Sequence, residues 1–159
     1  MRSSPDSGFT LIELVVTLAL VGVVALVSVP LFEITATRLR EAELRAALRE
    51  IRTAIDAYKT AADAGIVPKG ATESGYPPSL DVLAQGINSA KAGNERRVVF
   101  LRRVPRDPFS REPALEPAQQ WATRSHGSPP DDPQPGTDVF DVASRSPRTG
   151  LNGVAYKEW

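Results

Sequence analysis

The chain has 159 residues, with 19 Lys and Arg balanced by 19 Asp and Glu, one His and no Cys. Zero formal charge argues against a general nucleic-acid binder, and the lack of cysteine excludes a disulfide framework and any thiolate metal site. Setting residues 1–32 aside leaves 127 residues, room for one modest domain. Because the mean hydropathy of −0.20 includes a long apolar run, that remainder is distinctly polar.

Residues 1–8 form a short leader carrying Arg2 and Asp6. Gly8-Phe9-Thr10-Leu11-Ile12-Glu13 follows, and then nineteen charge-free residues, 14–32. That run has about the length needed to cross the hydrocarbon of a bilayer as a helix. An acid in such a helix costs about 2.5–3.5 kcal/mol near its centre and less towards the interface. Glu13 therefore needs a partner, and no cation in the segment can serve. A new ammonium made by cutting after Gly8 supplies one, most naturally on a neighbouring copy of the chain. An ordinary secretory signal has a longer basic start and a shorter apolar core. A plain single-span anchor leaves Glu13 and the Gly8–Phe9 junction without a reason.

The helix should continue past the bilayer. Leu44, Leu48, Ile51, Ile55, Tyr58 and Ala62 recur at steps of three and four, one stripe of a helix. Arg38, Arg40, Glu41, Glu43, Arg45, Arg49, Glu50 and Arg52 are expected on the solvent face, with Glu41 and Arg45 as an i,i+4 pair. Gly65 is the expected stop, giving a helix over 10–64 of about 80 Å. Pro30 removes one backbone hydrogen bond inside it, so a bend or local unwinding is expected there, with Gly22 weakening the same region.

The amphipathic half needs a cover, which must come from residues 65–159. Ser79 reads as the N-cap of a short helix with Leu80 and Leu83 inward and Gly86 at its end. Residues 98–101 read as a strand or a helical turn, and 119–125, 139–143 and 154–159 as strands, with an irregular Pro/Gly/Asp loop over 126–136. The expected fold class is α+β: a long N-terminal helix, apolar in its first half and amphipathic in its second, packed on a small antiparallel β-sheet. Its parts are a leader (1–8), a transmembrane and assembly helix (9–32), its amphipathic continuation (33–64) and a small globular region (65–159).

The stretch from Gly8 to Glu13 resembles the processing and methylation motif of type IV pilins and pseudopilins. The resemblance implies cleavage between Gly8 and Phe9 by a prepilin peptidase, N-methylation of Phe9, and a role for Glu13 in assembly. It also implies a single-pass inner-membrane protein with its N-terminus on the inner side, a C-terminal domain in the periplasm, and a periplasmic filament after assembly. Tyr76-Pro77-Pro78-Ser79-Leu80, Pro105-Arg106-Asp107-Pro108-Phe109 and Asp138-Val139-Phe140-Asp141-Val142 look like the major pseudopilin of type II secretion systems. The partners so implied are further copies, minor pseudopilins and an inner-membrane assembly platform, with no nucleic acid. A type IV pilus pilin or minor pilin is the alternative within the class. A membrane-tethered periplasmic binding module is the alternative outside it.

The same resemblance raises calcium, which needs six to eight oxygen ligands. The chain offers Asp131, Asp132, Asp138 and Asp141, but Arg145 and Arg148 stand where further carboxylates are expected, so no ligand is assigned and no cofactor is expected. His126 sits alone in a Pro/Gly loop, and no phosphate loop or nucleophile elbow is present. The expectation is a protein that is not an enzyme. Lys91, Arg96, Arg97, Arg102, Arg103 and Arg106 make a basic stretch relieved only by Glu95; it reads as a solvated face or as one half of an electrostatic contact between copies. Trp121 and Trp159 are expected to pack on the sheet.

Overall fold

The computed structural model describes residues 8–68, 73–90 and 97–159; the side chains of 27–31, inside a helix, fall outside that description. A helix, α1, runs from Leu11 to Asp63. The chain divides into two units, Met1–Leu39 and Arg40–Trp159, each described by itself.

In the first unit every described side chain from Phe9 to Leu26 is exposed, including Phe9 at 81% and Leu11 at 83%. Among the described residues nothing covers this apolar surface. Among the described residues no helix is long and apolar enough to cross a membrane. The charge-free run of 14–32 passes through 27–31, outside the described side chains. The expected bend at Pro30 falls on those same residues, as most of the leader falls on 1–7, also outside.

In the second unit α1 buries the expected stripe, with Leu44, Leu48, Ile51, Ile55, Tyr58 and Ala62 all at 2% exposure or less. The helix stops as glycine chemistry requires. Gly65 takes φ +68, its N–H donates to the Ala62 carbonyl at 3.0 Å, and the Ile66 N–H donates to that of Ala61 at 2.9 Å. These are the two bonds of a Schellman motif, which satisfies carbonyls that the helix end leaves open.

The cover is made of short pieces. A second helix, α2 (Leu80–Gln85), buries Leu80 and Leu83; Ser79 precedes it in an extended conformation but makes no side-chain cap bond, contrary to expectation. Gly86 ends it at φ +76, where a Cβ would lie 2.7 Å from the Val98 carbonyl oxygen, so no other residue fits without movement. The strand β1 (Ile87–Asn88) pairs antiparallel with β2 (Arg97–Val98), and the Phe100 and Leu101 amides then donate to the Leu83 carbonyl. A second antiparallel ladder joins β3 (Trp121–Arg124) to β4 (Asp141–Ser144), with Trp121 opposite Ser144 and Arg124 opposite Asp141.

Among the described residues the strands therefore form two separate two-stranded ladders rather than one sheet. Pro105, Pro108, Pro113 and Pro117 lie between them, and a residue without an N–H cannot extend a ladder. The expected strand at 154–159 is instead a 3-10 turn, Tyr156–Glu158, tied by a single bridge between Thr149 and Ala155. A 3-10 turn stacks residues three apart, and here it sets the Tyr156 ring against Trp159 at 5.0 Å. Trp121 is fully buried, its indole N–H donating to the Pro105 carbonyl at 2.9 Å, whereas Trp159 packs on Tyr156 and Arg45 rather than on a strand.

Candidate functional site

Thr10 is the last residue before α1. Its Oγ1 accepts the Glu13 N–H at 3.4 Å and its carbonyl accepts the Leu14 N–H at 3.2 Å. Thr10 is thus the N-cap and Glu13 the third helical residue, the Thr-x-x-Glu spacing of a capping box, with Phe9 and Leu14 at the two positions of a hydrophobic staple. Reading Glu13 only as a misplaced acid misses this, although the spacing itself signals it. A first-turn carboxylate also gains about 0.3–1 kcal/mol from the positive end of the helix dipole. That is less than the about 2.5–3.5 kcal/mol that an acid deep in lipid would cost. Gly8, Phe9 and Glu13 are all exposed. A Cβ added to Gly22 would meet nothing within 4 Å, so nothing within one copy demands glycine there.

In the second unit two residues expected on the solvent face turn inwards. Glu41 is 4% exposed, and its Oε1 accepts the Leu151 N–H at 2.6 Å and the Tyr156 hydroxyl at 3.1 Å. Its other oxygen faces Arg45 at 3.7 Å, and the Arg45 guanidinium lies 4.3 Å over the Trp159 ring. Burial raises the pKa of the Tyr156 hydroxyl, and the hydrogen bond to Glu41 raises it further. Arg52 gathers three oxygens: Asp141 Oδ1 at 2.8 Å, the Val142 carbonyl at 3.0 Å and the Trp159 backbone oxygen at 2.6 Å. Their periodicity places both residues beside the apolar stripe, but sequence cannot say which stripe-flanking charges the cover will reach.

Of the four acids weighed for calcium, Asp131 and Asp132 are exposed, while Asp138 and Asp141 are taken up by the protein. Asp138 accepts from the Ser74 hydroxyl, from the Ser125 hydroxyl at 2.7 Å and from the His126 N–H at 2.9 Å. Burial pushes its carboxyl up, but these three donors outweigh burial and hold it below the usual carboxylate range. Asp141 faces the guanidiniums of Arg52 and Arg124, the latter at 3.6 Å. Among the described residues no three acids or histidines gather into a cluster. A divalent cation would have to displace the three donors at Asp138 or the two guanidiniums at Asp141, so neither of these two acids fits calcium as placed.

His126 is exposed and stacks on Tyr76 at 5.3 Å, and its backbone N–H donates to Asp138. Of the basic stretch, Lys91, Glu95 and Arg96 lie outside the described residues. Arg97, Arg102 and Arg103 are exposed, while Arg106 braces a loop by donating to the carbonyls of Pro113 at 2.8 Å and Leu115 at 3.2 Å. Asp107, next to it, is buried and accepts from the Ser144 hydroxyl at 2.6 Å and the Phe109 N–H at 2.8 Å.

Residues 3–29 match the family described as the prokaryotic N-terminal methylation motif, the prepilin-type motif of type IV pilin-related proteins. The match spans the Gly8–Phe9 junction, Glu13 and Gly22. No solved structure matches the chain. The long helix with small antiparallel sheets is consistent with the α+β architecture of type IV pilins.

Proposed function

We propose that the chain is the structural subunit of a type II secretion pseudopilus, polymerising in the periplasm to help export folded proteins. The observation that carries this reading is Glu13 in the first turn of a helix whose apolar side chains are uncovered in a single copy. A lone subunit holds that helix in the inner membrane. Removal of the leader after Gly8 by a prepilin peptidase frees the Phe9 ammonium, which is then methylated. On assembly each helix exchanges lipid for neighbouring helices, and Glu13 exchanges its costly site for the Phe9 ammonium of an adjacent chain. Minor pseudopilins and a membrane platform start and drive growth. The work is mechanical, and the chain is proposed to be no enzyme and to need no cofactor.

The test is the intact mass and N-terminal residue of the chain recovered from membranes containing the peptidase. A chain starting at methylated Phe9 supports the reading. A chain retaining residues 1–8 and failing to self-associate overturns it in favour of a tethered binding module. Processed chains recovered as sheared surface fibres make it a pilus pilin instead.

A further inference from the structure

Arg45, Arg49 and Arg52 follow one another at steps of four and three, so they share a face of α1. With Leu48, Asn152 and Trp159 they line an open groove of about 270 Å³. Two of the guanidiniums are held in place from within: Arg45 by Glu41 and the Trp159 ring, Arg52 by Asp141 and two backbone oxygens. Arg49 is exposed and has no ionic partner among the described residues. Arg49 thus gives the groove one guanidinium that no described carboxylate of the same copy answers.

The opposite charge is presented on a loop elsewhere in the same unit. Asp131 and Asp132 are exposed at the tip of the β3–β4 connection, bracketed by Pro129, Pro130, Pro133 and Pro135. Ser128 ties this knuckle, its hydroxyl donating to the Asp132 carbonyl at 3.1 Å and accepting the Gln134 N–H at 2.7 Å. Gln134 in turn donates to Asp132 Oδ1 at 2.8 Å. A tip stiffened in this way loses little freedom on docking. Its base packs, through His126 on Tyr76 and Asp138 on Ser74, against a turn whose Gly75 lies over Lys59. Lys59 is ten residues beyond Arg49 on α1, about 15 Å along the helix axis. The knuckle and the groove therefore sit at different levels of one unit, with no described contact between them.

We infer that the arginine groove of one copy receives the Asp131–Asp132 knuckle of a second copy displaced along α1, a head-to-tail contact that propagates instead of closing. The contact joins two different patches, as an open-ended polymer requires. A guanidinium takes a carboxylate through two parallel bonds, which fixes orientation as well as sign, and opposed charges set register and docking rate. The inference rests on the filament reading above.

The absence of cysteine from the chain makes the test clean. Full-length, processed chain carrying both Arg49→Cys and Asp131→Cys is oxidised in membranes, beside each single variant. A ladder of covalent oligomers from the double variant, with each single variant stopping at a dimer or below, is expected. In parallel, Arg49→Glu lowers the pelletable polymer at least tenfold with an unchanged thermal melt, and adding Asp131→Arg restores it. Wild-type polymer without a ladder, and without any effect of charge reversal, overturns this contact and leaves the filament reading standing. Loss of binding to an acidic model peptide in Arg49→Glu with polymer unchanged also overturns it, by assigning the groove to another occupant. Wild-type chain that is processed but never polymerises removes both.

Discussion

Glu41 Oε1 lies 2.6 Å from the Leu151 amide nitrogen and 3.1 Å from the Tyr156 hydroxyl, so one buried carboxylate of α1 closes the 150–159 segment onto the helix. Gly150 makes that approach possible: a Cβ there would lie 3.1 Å from Glu41 Oε1 and 2.6 Å from the Trp159 ring. Glu41→Ala leaves a buried hydroxyl and an amide without their acceptor. It is expected to cost about 1–3 kcal/mol, read as a lowered denaturation midpoint of the full chain. Glu41→Gln keeps an acceptor oxygen and should cost less than Glu41→Ala. Equal losses in the two variants would contradict the hydrogen-bonding role.

Arg52 does for β4 and Trp159 what Glu41 does for the 150–159 turn. Its side chain and that of Asp141 are each about a third exposed, 37% and 32%, so solvent screening reduces the ion pair to a minor contribution. The bonds to the Val142 and Trp159 oxygens are partly buried as well. Arg52→Met is expected to cost about 1–2 kcal/mol. Arg52→Lys should recover only part of this, because an ammonium lacks the planar fork that reaches three oxygens at once. Thermal melts of both variants decide it, and a lysine variant as stable as wild type would refute the fork.

The pH dependence has two edges of opposite sign. Asp138 is held below its ordinary value of 3.8 in the fold, so its stabilisation is present above that value and is lost as pH falls through the lower folded one. Tyr58 and Tyr156 are raised above 10.0, the first by burial and the second by burial and Glu41. Their contribution is complete below pH 10 and is lost as pH rises through the raised values. Denaturation midpoints measured across pH should fall at both ends. Asp138→Asn should flatten the acid edge and leave the alkaline one, and Tyr156→Phe should do the reverse.

The two duties proposed for Glu13, at the helix start and in assembly, are separable by substitution. Gln at the third helical position also suits a capping box, so Glu13→Gln keeps the helix start and removes only the charge. If Glu13 answers the Phe9 ammonium of a neighbour, Glu13→Gln is processed and membrane-bound yet does not polymerise, since breaking a desolvated pair costs about 2–5 kcal/mol. Thr10→Ala removes the cap, costs about 0.5–2 kcal/mol of local helix stability, and should leave polymer in place. Electron microscopy of the two variants separates the duties: filaments from Glu13→Gln would reduce the residue to a cap.

The sequence by itself determined the long helix, its all-apolar and amphipathic halves, the Gly65 stop and the prepilin-type N-terminus, because each rests on local periodicity or on a short contiguous motif. Leu44 through Ala62 were legible as a buried stripe for that reason. The capping box at Thr10 and Glu13 is legible too, in its Thr-x-x-Glu spacing. What only the tertiary structure decided was which charges serve the interior. Glu41 and Arg52 look like their solvent-facing neighbours Glu43 and Arg49 until residues 141–159 fold back on them, a contact across about a hundred positions that no local pattern encodes. The same folding set Asp138 and Asp141 against hydroxyls, an amide and two guanidiniums, and turned the last expected strand into a 3-10 turn so that Tyr156 and Trp159 meet on one side.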